Sequence, residues 1–137
     1  AQDHREPESA VRLFGVDLLA GLQQTHACGY LHGDLRPSNV LIDEYGILKL
    51  SGFGLARGVP EDGEGGDVSG DRAEDASSDG RGPGRDPTYM APELLLGGEG
   101  AMSFASDFWS LGCVLFELLT GEPPFRASTS ATTAERI

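Results

Sequence analysis

Residues 106–120, SDFWSLGCVLFELLT, constrain this chain more than any other stretch. Phe108, Trp109, Leu111, Val114, Leu115, Phe116, Leu118 and Leu119 leave the run apolar on nearly every face. A helix without a face for water is expected at the centre of its domain, with other elements wrapped around it. Gly121 and Pro123-Pro124 mark its end. The run falls short of the roughly 18 consecutive apolar residues that a membrane span takes, so the surfaces that cover it are sought in protein.

The rest of the chain supplies candidates. Between residues 7 and 26, Val11, Phe14, Leu18 and Leu22 recur at helical spacing, with Leu13 and Leu19 widening the stripe. Pro7 suits a first turn, and Gly29 after Cys28 suits a stop. Two short apolar runs follow, Val40-Leu41-Ile42 and Ile47-Leu48-Lys49-Leu50, separated by Asp43-Glu44-Tyr45-Gly46. They predict a small hairpin that turns near Gly46. The expected fold class is therefore mainly α with small β-hairpins (α+β).

Residues 58–85 differ in kind. Gly, Asp, Glu and Ser dominate there, and Val59 and Val68 are the only bulky apolar residues. Such a segment cannot bury enough surface to offset the cost of ordering, so it is expected to be a disordered acidic insert. Order should resume at Pro87-Thr88-Tyr89-Met90-Ala91-Pro92-Glu93, followed by Leu94-Leu95-Leu96 and the turn Gly97-Gly98-Glu99-Gly100. The insert contributes much of the net charge of −12, which disfavours nucleic acid and anionic membranes as partners. Cys28 and Cys113 show no C-x-x-C spacing and read as packed, reduced thiols. The chain begins at Ala1 and ends at Ile137 within a helical-looking run, which reads as a piece of something longer.

Chemistry concentrates in His32-Gly33-Asp34-Leu35-Arg36-Pro37-Ser38-Asn39, between the first helix and the hairpin. A carboxylate, a cation and a carboxamide on one loop can orient a hydroxyl, neutralise a phosphate and hold a divalent cation. Singly, each of these residues reads as well as a structural or solvated side chain. The ordered set is more specific. After the hairpin come Gly52-Phe53-Gly54-Leu55-Ala56, then Tyr89-Met90-Ala91-Pro92-Glu93, then Ser106-Asp107-Phe108-Trp109-Ser110-Leu111-Gly112, with Gly121-Glu122-Pro123-Pro124-Phe125 closing.

That order resembles the C-terminal lobe of a serine/threonine protein kinase domain, and within it the Unc-51-like and Fused group. The likeness implies a partial kinase domain over residues 1–137, without the N-terminal lobe or the last helices. It implies Asp34 at the proton-accepting position, Arg36 at the phosphate-neutralising position and Asn39 as a metal ligand. Leu41 would lie under a nucleotide base, with Val114 and Leu118 beneath it. His32 and Phe53 would stack in a hydrophobic column, Asp107 would anchor the His32 backbone, and Glu93 would await an arginine from outside the chain.

Several positions depart from the family pattern. Gly52 stands where an aspartate bridges magnesium to the phosphates, and Gly33 where an arginine pairs with a phosphorylated segment. Arg85-Asp86 replaces a Gly-Thr whose threonine ties the substrate loop to the catalytic aspartate. Thr88 is out of register, and Asp86 is expected to repel Asp34. Two function classes follow from the resemblance. One is a pseudokinase that binds nucleotide weakly or without magnesium and acts by docking partners. The other is an active ATP-dependent kinase whose missing carboxylate comes from the insert or from nearby Asp and Glu residues. ATP is the implied ligand, with only half of its site in this chain, and Gly52 argues against an ordinary Mg2+ site. Family analogy further implies a cytoplasmic setting with microtubule- or cilium-associated protein partners.

Overall fold

The computed structural model describes residues 5–59, 85–97 and 101–126. In chain order these form α1 (Glu8–Ala27), β1 (Tyr30–Leu31), β2 (Val40–Ile42), β3 (Leu48–Leu50), β4 (Arg57–Gly58), α2 (Pro92–Gly97) and α3 (Phe104–Thr120). Single 3-10 turns lie at Pro37–Asn39, Phe53–Leu55 and Pro87–Tyr89. The mixed class with small antiparallel sheets agrees with the expectation from sequence.

Helix α3 begins two residues earlier than its apolar run, because Ser103 and Ser106 form a reciprocal capping box that satisfies amide groups of the first turn. It ends where Gly121 adopts the left-handed conformation. Helix α1 follows Pro7 directly, with Glu8 in its first turn, and buries Val11, Leu18 and Leu22. The hairpin also forms as predicted. Strands β2 and β3 pair Val40 with Leu50 and Ile42 with Leu48, and the Asp43 carboxylate accepts from the Tyr45 and Ile47 amides inside the turn.

The core lies where these elements meet. Leu18 and Leu22 of α1, Leu35 of the intervening loop, and Leu111 and Val114 of α3 form one buried cluster. Val40, Leu48, Leu50, Tyr89, Leu115 and Leu118 pack against it. Each fully buried Leu stabilises the fold by about 1.5–3 kcal/mol relative to exposure, so this seam between α1, α3 and the hairpin is the main source of cohesion. A second cluster, Met90, Ala91 and Leu94 with Trp109 and Met102 against it, fixes the segment around α2.

Four expectations need correction. Helix α3 is not enclosed by the described residues: its buried positions lie on one side, while Phe104, Phe108, Phe116 and Leu119 remain exposed. Among the described residues, α1, the hairpin and the Pro87–Tyr89 turn cover only that one side. Leu13 and Leu19 do not widen the α1 stripe. At about 100° per residue they rotate away from the face that meets α3, and both are exposed. Cys28 is likewise exposed rather than packed, because it follows the last turn of α1, whereas Cys113 is buried within α3. Finally, Gly58 and Val59 do not belong to an irregular insert. Strand β4 pairs Leu31 with Arg57 and Tyr30 with Gly58, and the Val59 amide donates to the Gly29 carbonyl at 2.7 Å. The insert between Val59 and Arg85, and the turn at Gly98-Glu99-Gly100, lie outside the described residues.

Candidate functional site

The loop from His32 to Asn39 is held from below by a single carboxylate. Asp107 sits in the first turn of α3, where the helix dipole favours negative charge, and is 2% exposed. Its Oδ2 accepts from the His32 amide at 2.8 Å, and its Oδ1 accepts from the Gly33 amide at 2.9 Å. A third donor, Nε2 of His26 at 2.8 Å, comes from the end of α1. His26 was not singled out from the sequence. A lone His near a helix end carries no signal of a hydrogen-bond partner 81 residues away, and only the packing of α1 on α3 creates the contact. Phe104 and Phe108 flank the His26 ring and shield the pair from water.

His32 is fully buried and turns its ring onto Phe53, with centroids 4.7 Å apart. Its Nε2 donates to the Ser51 carbonyl at 2.9 Å, and its Nδ1 accepts from the Asp34 amide at 3.3 Å. These two partners select the tautomer with hydrogen on Nε2. The ring therefore joins the loop to the end of β3, one residue before Gly52.

Above this base lie the residues with polar chemistry. The Asp34 side chain is 11% exposed, and Asn39 Nδ2 donates both to its carbonyl oxygen at 2.7 Å and to its Oδ2 at 2.8 Å. The guanidinium of Arg36 forms an ion pair with the same carboxylate, Nε to Oδ2 3.4 Å, without the alignment of a hydrogen bond. Ser51 binds the Asn39 carbonyl through both its amide and its hydroxyl, which keeps Asn39 beside Gly52. Asp34, Arg36 and Asn39 thus converge, as the sequence led one to expect.

Gly52 has φ +75°, a conformation that suits glycine, and a Cβ built on it would overlap the Asn39 carboxamide. The space that a side chain at position 52 would need is already filled. This bears directly on magnesium. That ion takes near-octahedral oxygen coordination, with one or two carboxylates beside the phosphates. Here Gly52 supplies none, Asn39 offers only a neutral carboxamide oxygen while its nitrogen donates to Asp34, and no group of three His, Cys, Asp or Glu side chains converges among the described residues. The residues present do not fit an ordinary magnesium site.

Other positions fall differently from expectation. Leu41 is 56% exposed, whereas Val40 beside it packs against the cluster that holds Val114, with Leu118 at its edge. Leu41 is thus an open apolar surface beside the loop. Asp86 does not direct its charge freely at Asp34: its Oδ1 accepts from the Thr88 amide at 3.0 Å and caps the Pro87–Tyr89 turn. Beside it, Nε of Arg85 donates to the Gly33 carbonyl at 2.9 Å. The sequence marked Arg85 only as a departure, not as a contact. Glu93 makes no hydrogen bond or ion pair among the described residues. The Tyr89 hydroxyl donates to Glu117 at 2.6 Å, and burial together with that carboxylate pushes the phenol well above its ordinary value.

A loop with a carboxylate, a cation and a carboxamide in contact, resting on a helix of the core, is the arrangement that the sequence resemblance led one to expect. The comparisons with known proteins agree: the model of the protein kinase domain family matches residues 2–137, and the chain belongs to that family. It is 44% identical over 126 residues to the serine/threonine-protein kinase RUNKEL of Arabidopsis thaliana, covering 92% of this chain and 8% of that protein. It is 42% identical over 147 aligned residues to the serine/threonine-protein kinase ULK4 of Mus musculus, covering 100% of this chain and 11% of that protein. The similarity to ULK4 bears out the resemblance to the Unc-51-like group. The MAP kinase kinase kinase wis4 of Schizosaccharomyces pombe is 39% identical over 122 residues, 88% of this chain and 8% of that protein. The chain spans about a tenth of the length of these curated relatives. No helix among the described residues is long and apolar enough to cross a membrane.

Proposed function

We propose that this chain forms the loop-bearing half of the nucleotide site in a pseudokinase, which binds ATP weakly or without magnesium and works by docking protein partners. The observation that carries this reading is the Gly52–Asn39 contact. A glycine replaces the metal-binding carboxylate, and the neighbouring carboxamide fills the space that its side chain would need. Phosphoryl transfer relies on electrostatic stabilisation, and loss of one such group costs roughly 10²–10³ in rate. Asp34, Arg36 and Asn39 would still face the phosphates, and the exposed Leu41 would offer the base an apolar floor. Partners associated with microtubules or cilia, and a cytoplasmic setting, follow from the Unc-51-like resemblance alone.

A second reading, an active kinase, draws on one observation: the contact between Asp34 and Asn39 is intact. The two readings part on an experiment with the full-length protein. A pseudokinase should show a thermal shift with ATP that is insensitive to magnesium, and no peptide phosphorylation. A magnesium-dependent shift, with steady phosphorylation abolished by Asp34→Ala, would establish the active kinase instead.

A further inference from the structure

Position 33 cannot itself reach across the cleft. Gly33 has φ +74°, and a Cβ there would come within 2.9 Å of the Leu55 carbonyl oxygen and 3.0 Å of the Met102 thioether. A tie made at position 33 can therefore use only the Gly33 backbone, met by a side chain from the opposite side. Arg85 occupies that side, with its Nε 2.9 Å from the Gly33 carbonyl oxygen. We propose that Arg85 is a positioning residue, whose guanidinium binds the Gly33 carbonyl and so fastens the segment before Pro87 to the loop that carries Asp34, with no phosphate group as intermediary.

The surroundings make this contact part of a closed circuit. The Gly33 peptide is held at both ends: its amide donates to Asp107 on α3 and its carbonyl accepts from Arg85. Beyond Arg85, Asp86 caps the turn at Thr88, the Tyr89 hydroxyl donates to Glu117 of α3, and the Tyr89 carbonyl accepts from Ser110 of α3 at 2.7 Å. The circuit therefore runs from α3 through Gly33, Arg85 and Tyr89 back to α3. Besides the apolar packing of Tyr89 on the cluster that holds Leu35, Arg85 supplies the hydrogen bond that joins the two arms. The position is also electrically opposed: burial first, then the like charge of Arg57, lowers the basicity of Arg85, while Asp34 and Asp107 act the other way. A guanidinium without a structural task would turn to water. Arg is suited here because its planar, always charged fork can serve a carbonyl through Nε while its remaining donors face other acceptors.

The tie affects nucleotide binding only through the reading proposed above, so its primary test uses no nucleotide. Amide hydrogen exchange of the full-length protein is compared between wild type, Arg85→Ala and Arg85→Lys. Arg85→Ala should speed exchange of the amides at residues 32–34 and 88–90 at least fivefold while leaving Leu18 and Leu22 of α1 unchanged. Arg85→Lys should restore part of the protection, and millimolar guanidinium ion should restore it in Arg85→Ala without altering wild type. Phosphatase treatment of wild type should change nothing. Unchanged exchange at residues 32–34 in Arg85→Ala would overturn the proposal, as would loss of protection across α1 in both variants, which would make Arg85 a general stabiliser. Loss of protection after phosphatase treatment would overturn the claim that no phosphate takes part. Failure of ATP binding with the exchange result intact would count against the nucleotide reading alone.

Discussion

Asp107 and Gly52 meet opposite ends of the same loop, and the chain treats them oppositely. Asp107 supplies a buried carboxylate with three donors, from His26, His32 and Gly33. Gly52 supplies no side chain, and its neighbour Asn39 occupies the space one would need. The first contact holds the fold together, since removing the acceptor would strand buried donors. The second would serve only chemistry, and a fold survives without it. Scaffold and metal chemistry are thus separable in this loop: the contacts of Asp107, His32 and Phe53 stand without any carboxylate at position 52.

The largest effect should come from Asp107. Asp107→Ala leaves the His32 and Gly33 amides buried without an acceptor and should cost about 3–5 kcal/mol, read by urea denaturation of the full-length protein. A loss below about 1 kcal/mol would erase the contrast with Gly52. Next is Gly52→Asp. From sequence alone this change should raise magnesium-dependent nucleotide affinity. The geometry adds that it must displace Asn39 from its bonds to Asp34, so any gain should come with about 1–3 kcal/mol of lost stability. Higher affinity at unchanged stability would show that the space at position 52 is not contested.

Tyr89→Phe tests the second arm of the scaffold. It removes the hydroxyl that donates to Glu117 and should cost about 1.5–3 kcal/mol in the same denaturation measurement. An unchanged midpoint would remove Tyr89 from the scaffold. The smallest effect concerns the hairpin, away from both poles. The Ile47 amide chiefly, with that of Tyr45 and the Lys49 charge, holds the Asp43 carboxyl below its ordinary value. A depressed folded pKa stabilises the fold above the unfolded carboxylate pKa, and the contribution is lost as pH falls through the folded one. Asp43→Asn should therefore flatten the fall in thermal stability on the acid side of pH 4 by a small amount, leaving stability at pH 7 slightly reduced. An identical acid limb in both proteins would mean that Asp43 holds no turn.

Helical spacing placed α1, the apolar run placed α3, and the Asp43–Gly46 spacer placed the hairpin, because period and turn chemistry are local properties. The order of motifs brought Asp34, Arg36 and Asn39 to one site for the same reason: they share eight residues of loop. The β1–β4 pairing escaped notice, since two-residue strands have no period to read. His26 and Arg85 escaped because their partners stand 81 and 52 residues away and are chosen by packing.

The sequence by itself therefore determined the two long helices, the hairpin, the family and the absence of a carboxylate at position 52. Only the tertiary structure decided what that absence means in space. A missing side chain leaves either a vacancy or a filled position, and here the carboxamide of Asn39, tied to Asp34 and fixed by Ser51, fills it. It also decided which side chains hold the loop in place, because a buried carboxylate or a half-buried guanidinium takes its partners from whatever the packing of α1, α3 and the Pro87–Tyr89 turn brings within 3 Å.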